Sequence, residues 1–236
     1  MRNNLRGTVA AVCVGTVGEL DSSGRKISSA FVKRAVEGRV RVGSLGVEGD
    51  EHVYEGHGGE DAAVLVYSRD HYPFWRDLGV EIPEVGAFAE NLTVEGLPEA
   101  EVHLGDSFEV GSCVLQVSEP RSPCYKIAAR YGRKDISIVV QETGFTGYLL
   151  RVLQEGDVAA GDEMRLVERD ASHDYTVAEA GRILNVARND LAGAKRLLDI
   201  EALSSAIKDK LAARIARSER LGLDLDRLYL SGRVEA

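Results

Sequence analysis

Cys113-Val114-Leu115-Gln116-Val117-Ser118-Glu119-Pro120-Arg121-Ser122-Pro123-Cys124-Tyr125-Lys126 is the stretch from which the fold and the chemistry can both be read. Its first half alternates in the period of a strand with one buried face. Pro120 stops it, because proline has no N–H to give to a ladder. A loop leaving a sheet edge follows, stiffened by two prolines, with Cys124 lying between the cations Arg121 and Lys126. A thiol has a reference pKa of about 8.5, and nearby positive charge favours the thiolate, the form that attacks electrophiles and binds metals. The competing reading is an inert buried thiol, since free cysteine packs as a small hydrophobe. Two adjacent cations are poor neighbours for that.

Outward from this stretch, the chain up to about residue 167 is punctuated by glycine into short apolar runs. Strands are expected at 9–17, 39–42, 62–67, 91–94, 107–110, 113–118, 147–153 and 163–167. Many short strands between turn residues suggest a barrel or folded sheet. Helical interruptions are expected at 69–78 and 135–143, with a short turn of helix at 127–131. After Asp170 the period changes. Thr176-Val177-Ala178-Glu179 spells a capping box, and Val177, Ala180, Ile183, Leu184 and Ala187 then recur at helical spacing. Asp190 caps a second helix, and a third starts after Ser204 or Ser205. The fold class is therefore mainly β (α+β): a barrel-like folded sheet with peripheral helices over residues 1–169, then a three-helix unit over 170–236. Helices this short need tertiary packing. With no cysteine, and His173 only at its entrance, the helical unit is expected to serve packing or homodimerisation, not catalysis.

Composition bounds the function. The 236 residues are 44% hydrophobic and 28% charged, with a net charge of −9 and a pI near 5.2. An acidic chain is a poor general nucleic-acid binder, because duplex affinity rests on neutralising phosphates. From Asp170 onward there are 11 basic and 11 acidic residues, so the acidic excess lies wholly before it. Any anion pocket there must be built from selected cations, for which Lys33, Arg121 and Lys126 are the candidates. No apolar run approaches the roughly 20 residues of a membrane span. The β-branched run near the N-terminus suits a first strand better than a secretory signal. Three well-separated cysteines, Cys13, Cys113 and Cys124, with no C-x-x-C pair, fit a reducing cytoplasm.

Two further polar segments stand out. Gly46-Val47-Glu48-Gly49-Asp50-Glu51-His52 and Glu55-Gly56-His57-Gly58-Gly59-Glu60-Asp61 gather histidines and carboxylates ahead of an apolar strand. His57 and Asp61 are candidate proton donors; His52, His71 and His103 receive no role, the last two looking surface-exposed. Zinc is disfavoured because the spacing matches no zinc helix. In Gly86-Ala87-Phe88-Ala89-Glu90-Asn91-Leu92, Asn91 can donate to and accept from a heteroaromatic ring.

The order Lys33, Gly46-Val47-Glu48-Gly49-Asp50, His57-Gly58-Gly59, Glu90-Asn91-Leu92, Pro120-Arg121-Ser122-Pro123-Cys124, then Gly156 through Gly161-Asp162, resembles the MOSC domain, named for the C-terminal domain of molybdenum cofactor sulfurase. The three-helix continuation is similar to the YiiM-like subgroup with its 3-alpha domain. The resemblance implies a β-rich MOSC fold and a molybdenum cofactor (molybdopterin) with Cys124 as metal ligand. It also implies reduction of N-hydroxylated compounds, such as hydroxylaminopurine-type bases, to amines. Lys33, Arg121, Ser122 and Lys126 would hold the cofactor's phosphate and Asn91 its pterin edge. His57 or Asp61 would supply a proton. An external electron-donor protein is required, because the chain carries no flavin, haem or iron–sulfur motif. The alternative is a sulfur carrier holding a persulfide on Cys124 without molybdenum. Two departures from the family pattern are Ala89, where glycine is usual, and Glu60, where proline follows His-Gly-Gly.

Overall fold

A computed structural model describes residues 5–22, 24–53 and 58–231, with side chains to residue 222. In chain order the strands are β1 (Arg6–Val14), β2 (Gly18–Ser22), β3 (Arg25–Ser29), β4 (Arg34–Ala35), β5 (Val40–Gly43), β6 (Gly46–Val47) and β7 (Val64–Ser68). Helix α1 (Tyr72–Asp77) then precedes β8 (Leu92–Glu95), β9 (Ser107–Val110) and β10 (Cys113–Pro120). Helices α2 (Tyr125–Tyr131) and α3 (Ile136–Thr143) lead to β11 (Tyr148–Gln154), β12 (Gly156–Val158) and β13 (Glu163–Glu168). The chain closes with α4 (Val177–Asn185), α5 (Leu191–Leu198) and α6 (Ser205–Ser231).

Seven strands close into a barrel in the order β13-β9-β10-β11-β7-β8-β1, with β1 pairing back onto β13. All neighbours are antiparallel except β7 and β8. Closure removes the exposed sheet edge that would otherwise invite pairing with another chain. β10 buries Cys113, Leu115 and Val117 as its alternation predicts. β1 ends at Val14, three residues before the expected limit, because the Gly15 N–H turns aside to the Asp50 carboxylate (2.8 Å). β7 begins at Val64; residues 60–62 form a 3₁₀ turn after Gly59. β5 falls on the strand expected at 39–42, but its partners β6 and β12 and the hairpin of β2 and β3 escaped the sequence reading. Their runs are short and mostly polar, so they carry little period-2 pattern.

Glycine is required where β11 begins. Gly147 has φ of +74°, and a Cβ there would lie 2.4 Å from the carbonyl of Val66. Its own carbonyl accepts from Arg121 N–H (3.1 Å), which extends the β10–β11 ladder one residue past Pro120 into the cysteine loop.

Two buried clusters hold the molecule together. One, around Tyr67, Tyr72, Trp75, Phe88, Ile127 and Ile136, ties α1, α2 and α3 to one side of the barrel. Its polar tips are satisfied: Trp75 Nε1–H donates to Tyr67 Oη (2.7 Å), and Tyr72 Oη–H donates to the buried Glu90 carboxylate (2.6 Å). The other fills the barrel and continues without a break into Val177, Ile183, Leu197, Ile207 and Leu211 of the helical unit. The core thus runs straight across residue 170. The capping box at Thr176 forms as spelled, with Glu179 N–H donating to Thr176 Oγ1 (3.1 Å) and Thr176 N–H to Glu179 Oε2 (3.0 Å).

His71 is a correction to the sequence reading. It is buried, bonded through Nε2 to Glu99 (2.6 Å) and stacked on Phe145 at 3.8 Å, so it belongs to the aromatic core and not the surface.

Candidate active site

The cysteine loop is set by what surrounds it. Ser122, preceding Pro123, is held to extended backbone by the proline ring. Cys124 follows at φ −122° and ψ 160°, the N-cap of α2, and its carbonyl accepts from Ile127 N–H (3.1 Å). Ile127 is fully buried in the aromatic cluster, which anchors the helix and with it the cysteine. Cys13 and Cys113 are fully buried and burial pushes each thiol up to about 11, whereas Cys124 is half-buried. Of the three, it is Cys124 that lines a cavity bearing Arg121 and Lys126.

That cavity measures about 350 Å³ and is walled by Arg121, Ser122, Cys124 and Lys126 from the loop, with Lys33 and Asn91 opposite. Six of the residues singled out from sequence therefore meet on one wall or another. Their roles divide. Lys33 Nζ is paired with Asp50, and the two side chains are only 5% and 3% exposed. Burial lowers the Lys33 pKa, the Asp50 charge acting against the shift. Asn91 uses its amide on the same scaffold: Oδ1 accepts from Leu65 N–H (3.0 Å), and Nδ2–H₂ donates to Asp50 (2.8 Å) and the Cys13 carbonyl (3.3 Å). Lys33 is therefore ion-paired and Asn91 hydrogen-bonded within the cavity wall, so any contact of either with a cofactor would be made alongside these bonds. Ser122 points instead to the helical unit, donating to Asn185 Oδ1 (3.2 Å).

Arg121 is different. It is 9% exposed, its Nη1 is buried with no hydrogen-bond partner among the described residues, and its guanidinium lies 6.0 Å over the Phe31 ring. Lys126, equally buried, lies five residues along the same wall. An unsatisfied buried donor costs about 1–3 kcal/mol, which an acceptor facing it from the cavity would recover. Arg121→Met, similar in volume and without polar hydrogens, is accordingly expected to stabilise the ligand-free protein by about 1 kcal/mol, seen as a higher urea midpoint. A lower midpoint would mean that the guanidinium is already satisfied.

The expected proton donors fare unequally. His57 lies outside the described residues. Asp61 is held by Arg151 through Nη2 (2.7 Å) and Nε (3.0 Å), and it accepts from Ser205 N–H (2.9 Å) at the start of α6. Burial opposes its ionisation, but the bonds from Ser205 and Arg151 prevail and hold its carboxyl below the usual range. Asp61 is thus a clamp between barrel and helix, and its assignment as proton donor is withdrawn.

Two proton-carrying groups that sequence reasoning passed over do line the cavity, His52 and Glu119. Burial raises the Glu119 carboxyl above its ordinary value, against the opposing hydrogen bond from Ser204 Oγ. Its position at the last outward-facing place of β10, beside Pro120, was the available clue. Gly58 makes room for His52, since a Cβ there would sit 3.1 Å from the imidazole.

Ile207 and Lys210 of α6 complete the wall. The helical unit therefore reaches the cysteine site, contrary to the expectation that it serves packing or dimerisation alone. Ala89, at the position where glycine was expected, has φ of +66°. That left-handed conformation is why the family pattern calls for glycine, and alanine bears a cost of order 1 kcal/mol there.

The MOSC domain family profile matches residues 53–165. YflK of Bacillus subtilis (strain 168), described as uncharacterized, is 38% identical over 85% of this chain and 91% of its own length. A protein of Gibberella moniliformis named "Reductase" is 36% identical over 80% of this chain, which spans only 35% of that protein. The crystal structure of YiiM from Geobacillus stearothermophilus superposes with a TM-score of 0.75 at 30% identity, covering 89% of this chain and 99% of that one.

Proposed function

Because the chain belongs to the MOSC domain family, as a YiiM-like member, we propose that it binds a molybdenum cofactor and reduces N-hydroxylated compounds to amines. The observation that carries this reading is the pairing of one accessible thiol, Cys124, with an unsatisfied buried guanidinium, Arg121, on the wall of one cavity. Among the described residues no group of three or more His, Cys, Asp or Glu side chains could hold a metal ion. A single thiolate suits a metal that arrives with sulfur ligands of its own, as in a dithiolene pterin. Arg121 and Lys126 fit its phosphate, arginine being adapted to fork-like contacts with an oxyanion.

The overall reaction is R–NHOH + 2 H⁺ + 2 e⁻ → R–NH₂ + H₂O, and the bound cofactor supplies the two electrons and the affinity for oxygen. The chain's own residues do the rest. Cys124 gives the thiolate ligand, Arg121 and Lys126 bind and orient, and Glu119 holds a proton on the wall. Burial suits Glu119 to that task because a proton donor works best with a pKa drawn toward the working pH. Electrons come from a separate donor protein.

Freshly purified protein is expected to carry stoichiometric molybdenum, measured by plasma mass spectrometry. Cyanide-labile sulfur in its place, without molybdenum, would replace this reading with that of a persulfide sulfur carrier.

A further inference from the structure

A second cleft, of about 400 Å³, adjoins the cysteine cavity, and the two share Ser122, Pro123, Ile207 and Lys210 in their walls. The helical unit supplies most of its lining, with Ser122, Pro123 and Gln141 contributed by the barrel domain. Among the described residues that line it, the charged ones are Arg188, Lys210 and Arg214, with no carboxylate. The mutual repulsion of these cations is a cost that a bound anion would offset.

The cleft is also built, not merely basic. Arg214 is half-buried and held in place, donating from Nη1 to the Ile183 carbonyl and from Nη2 to the Leu184 carbonyl (2.9 Å each) near the end of α4. Arg188 is held through Nε–H to the Asn185 carbonyl (3.3 Å). Burial and then the neighbouring Arg188 charge both lower the Arg214 pKa, so the cations repel one another. Asn185 is fixed by Ser122 at Oδ1 and by Gln141 Nε2–H at its carbonyl (3.1 Å), yet its Nδ2 is buried with no partner. Cations that repel one another beside an unpartnered amide donor are the groups that bind an oxyanion.

We propose that this second cleft is a phosphate subsite for the substrate, so that an N-hydroxylated purine enters as its nucleoside monophosphate. The base lies toward Cys124, and Arg188, Lys210 and Asn185 Nδ2–H₂ hold the phosphate. The assignment rests on the proposed reductase reading and adds to it a substrate class and a purpose for the helical unit. It uses cations distinct from Arg121 and Lys126, which serve the cofactor.

The test needs no turnover. Cofactor-free protein is titrated calorimetrically with adenosine 5′-monophosphate and with adenosine, as is the double variant Arg188→Gln, Lys210→Gln. Both of those side chains are exposed, so the fold and its melting temperature should be preserved. The monophosphate is expected to bind wild type on the order of tenfold more tightly than the nucleoside, corresponding to about one charge-assisted hydrogen bond. The variant should lose that preference. Equal affinities in wild type, or a preference that survives the substitutions, would overturn the proposal. If molybdenum is absent but the phosphate preference stands, the reductase reading has failed and the subsite has not.

Discussion

Cys124→Ser is expected to lower N-hydroxyl reduction on the order of 100-fold or more while leaving the urea midpoint nearly unchanged. Substituting a partner that merely orients a metal ligand typically costs 10–100-fold, so removing a ligand itself should cost at least as much. The fold is spared because the Cys124 side chain is half-buried, caps no helix N–H and belongs to neither core cluster. Cys113→Ser is the control of opposite character. It buries a hydroxyl among Leu115, Val110 and Met164, where an uncompensated polar group costs about 1–3 kcal/mol, and it should cost stability without touching the chemistry. Alkylation makes the same distinction on unmodified protein. Iodoacetamide should modify Cys124 first and abolish turnover, with Cys13 and Cys113 protected until unfolding. Full activity in Cys124→Ser would remove the thiolate from the mechanism altogether.

Asp50→Ala should be the most destabilising of the substitutions considered, at about 3–5 kcal/mol, because it strands a buried charge. Asp50 accepts from Gly15 N–H at Oδ1 (2.8 Å) and from Asn91 Nδ2–H₂ at Oδ2 (2.8 Å), and it also pairs with Lys33 Nζ. Its loss leaves three donors under the cavity floor without an acceptor. The pH dependence identifies the cause. Lys33 is already depressed below its ordinary value of 10.5 by burial, and without Asp50 its folded-state value falls further. The unfolded chain then binds more protons than the folded one between that lowered value and 10.5. Stability of the variant therefore rises with pH across this window, relative to wild type. Denaturant titrations at pH 7 and pH 9.5 check the sign, since a constant deficit would mean that Lys33 is not the stranded group. Replacing both partners, as Lys33→Met with Asp50→Asn, should recover most of the loss, because a buried pair is commonly exchangeable for neutral groups of similar volume.

The local elements were legible because the cues for them are local. Period-2 alternation marked β9 and β10 within a residue or two, and helical spacing with the Thr176 capping box and the Asp190 cap marked α4 and α5. Barrel closure was suggested by the number of short strands, but the pairing of β1 with β13 joins residues too far apart in the chain for any local pattern to specify. The cysteine loop could be found because prolines, cations and thiol are adjacent in sequence. Asp61, expected to donate a proton, and His71, expected at the surface without a role, are both decided by partners remote in the chain: Arg151 and Ser205 hold Asp61, and Glu99 bonds the buried His71.

What the sequence by itself determined was the succession of strands and helices and the place of Cys124 at the end of a strand, since propensity, period and proline act within a few residues. Tertiary structure alone decided which charges remain available. Lys33 and Arg121 look alike as candidates along the chain, yet Asp50 neutralises one and no described residue bonds the other's buried Nη1. Lys210, from a helix expected to be remote, becomes part of the wall of the same cavity. A charge is neutralised by what lies within a few ångströms of it, and the folded core, not chain order, sets that distance.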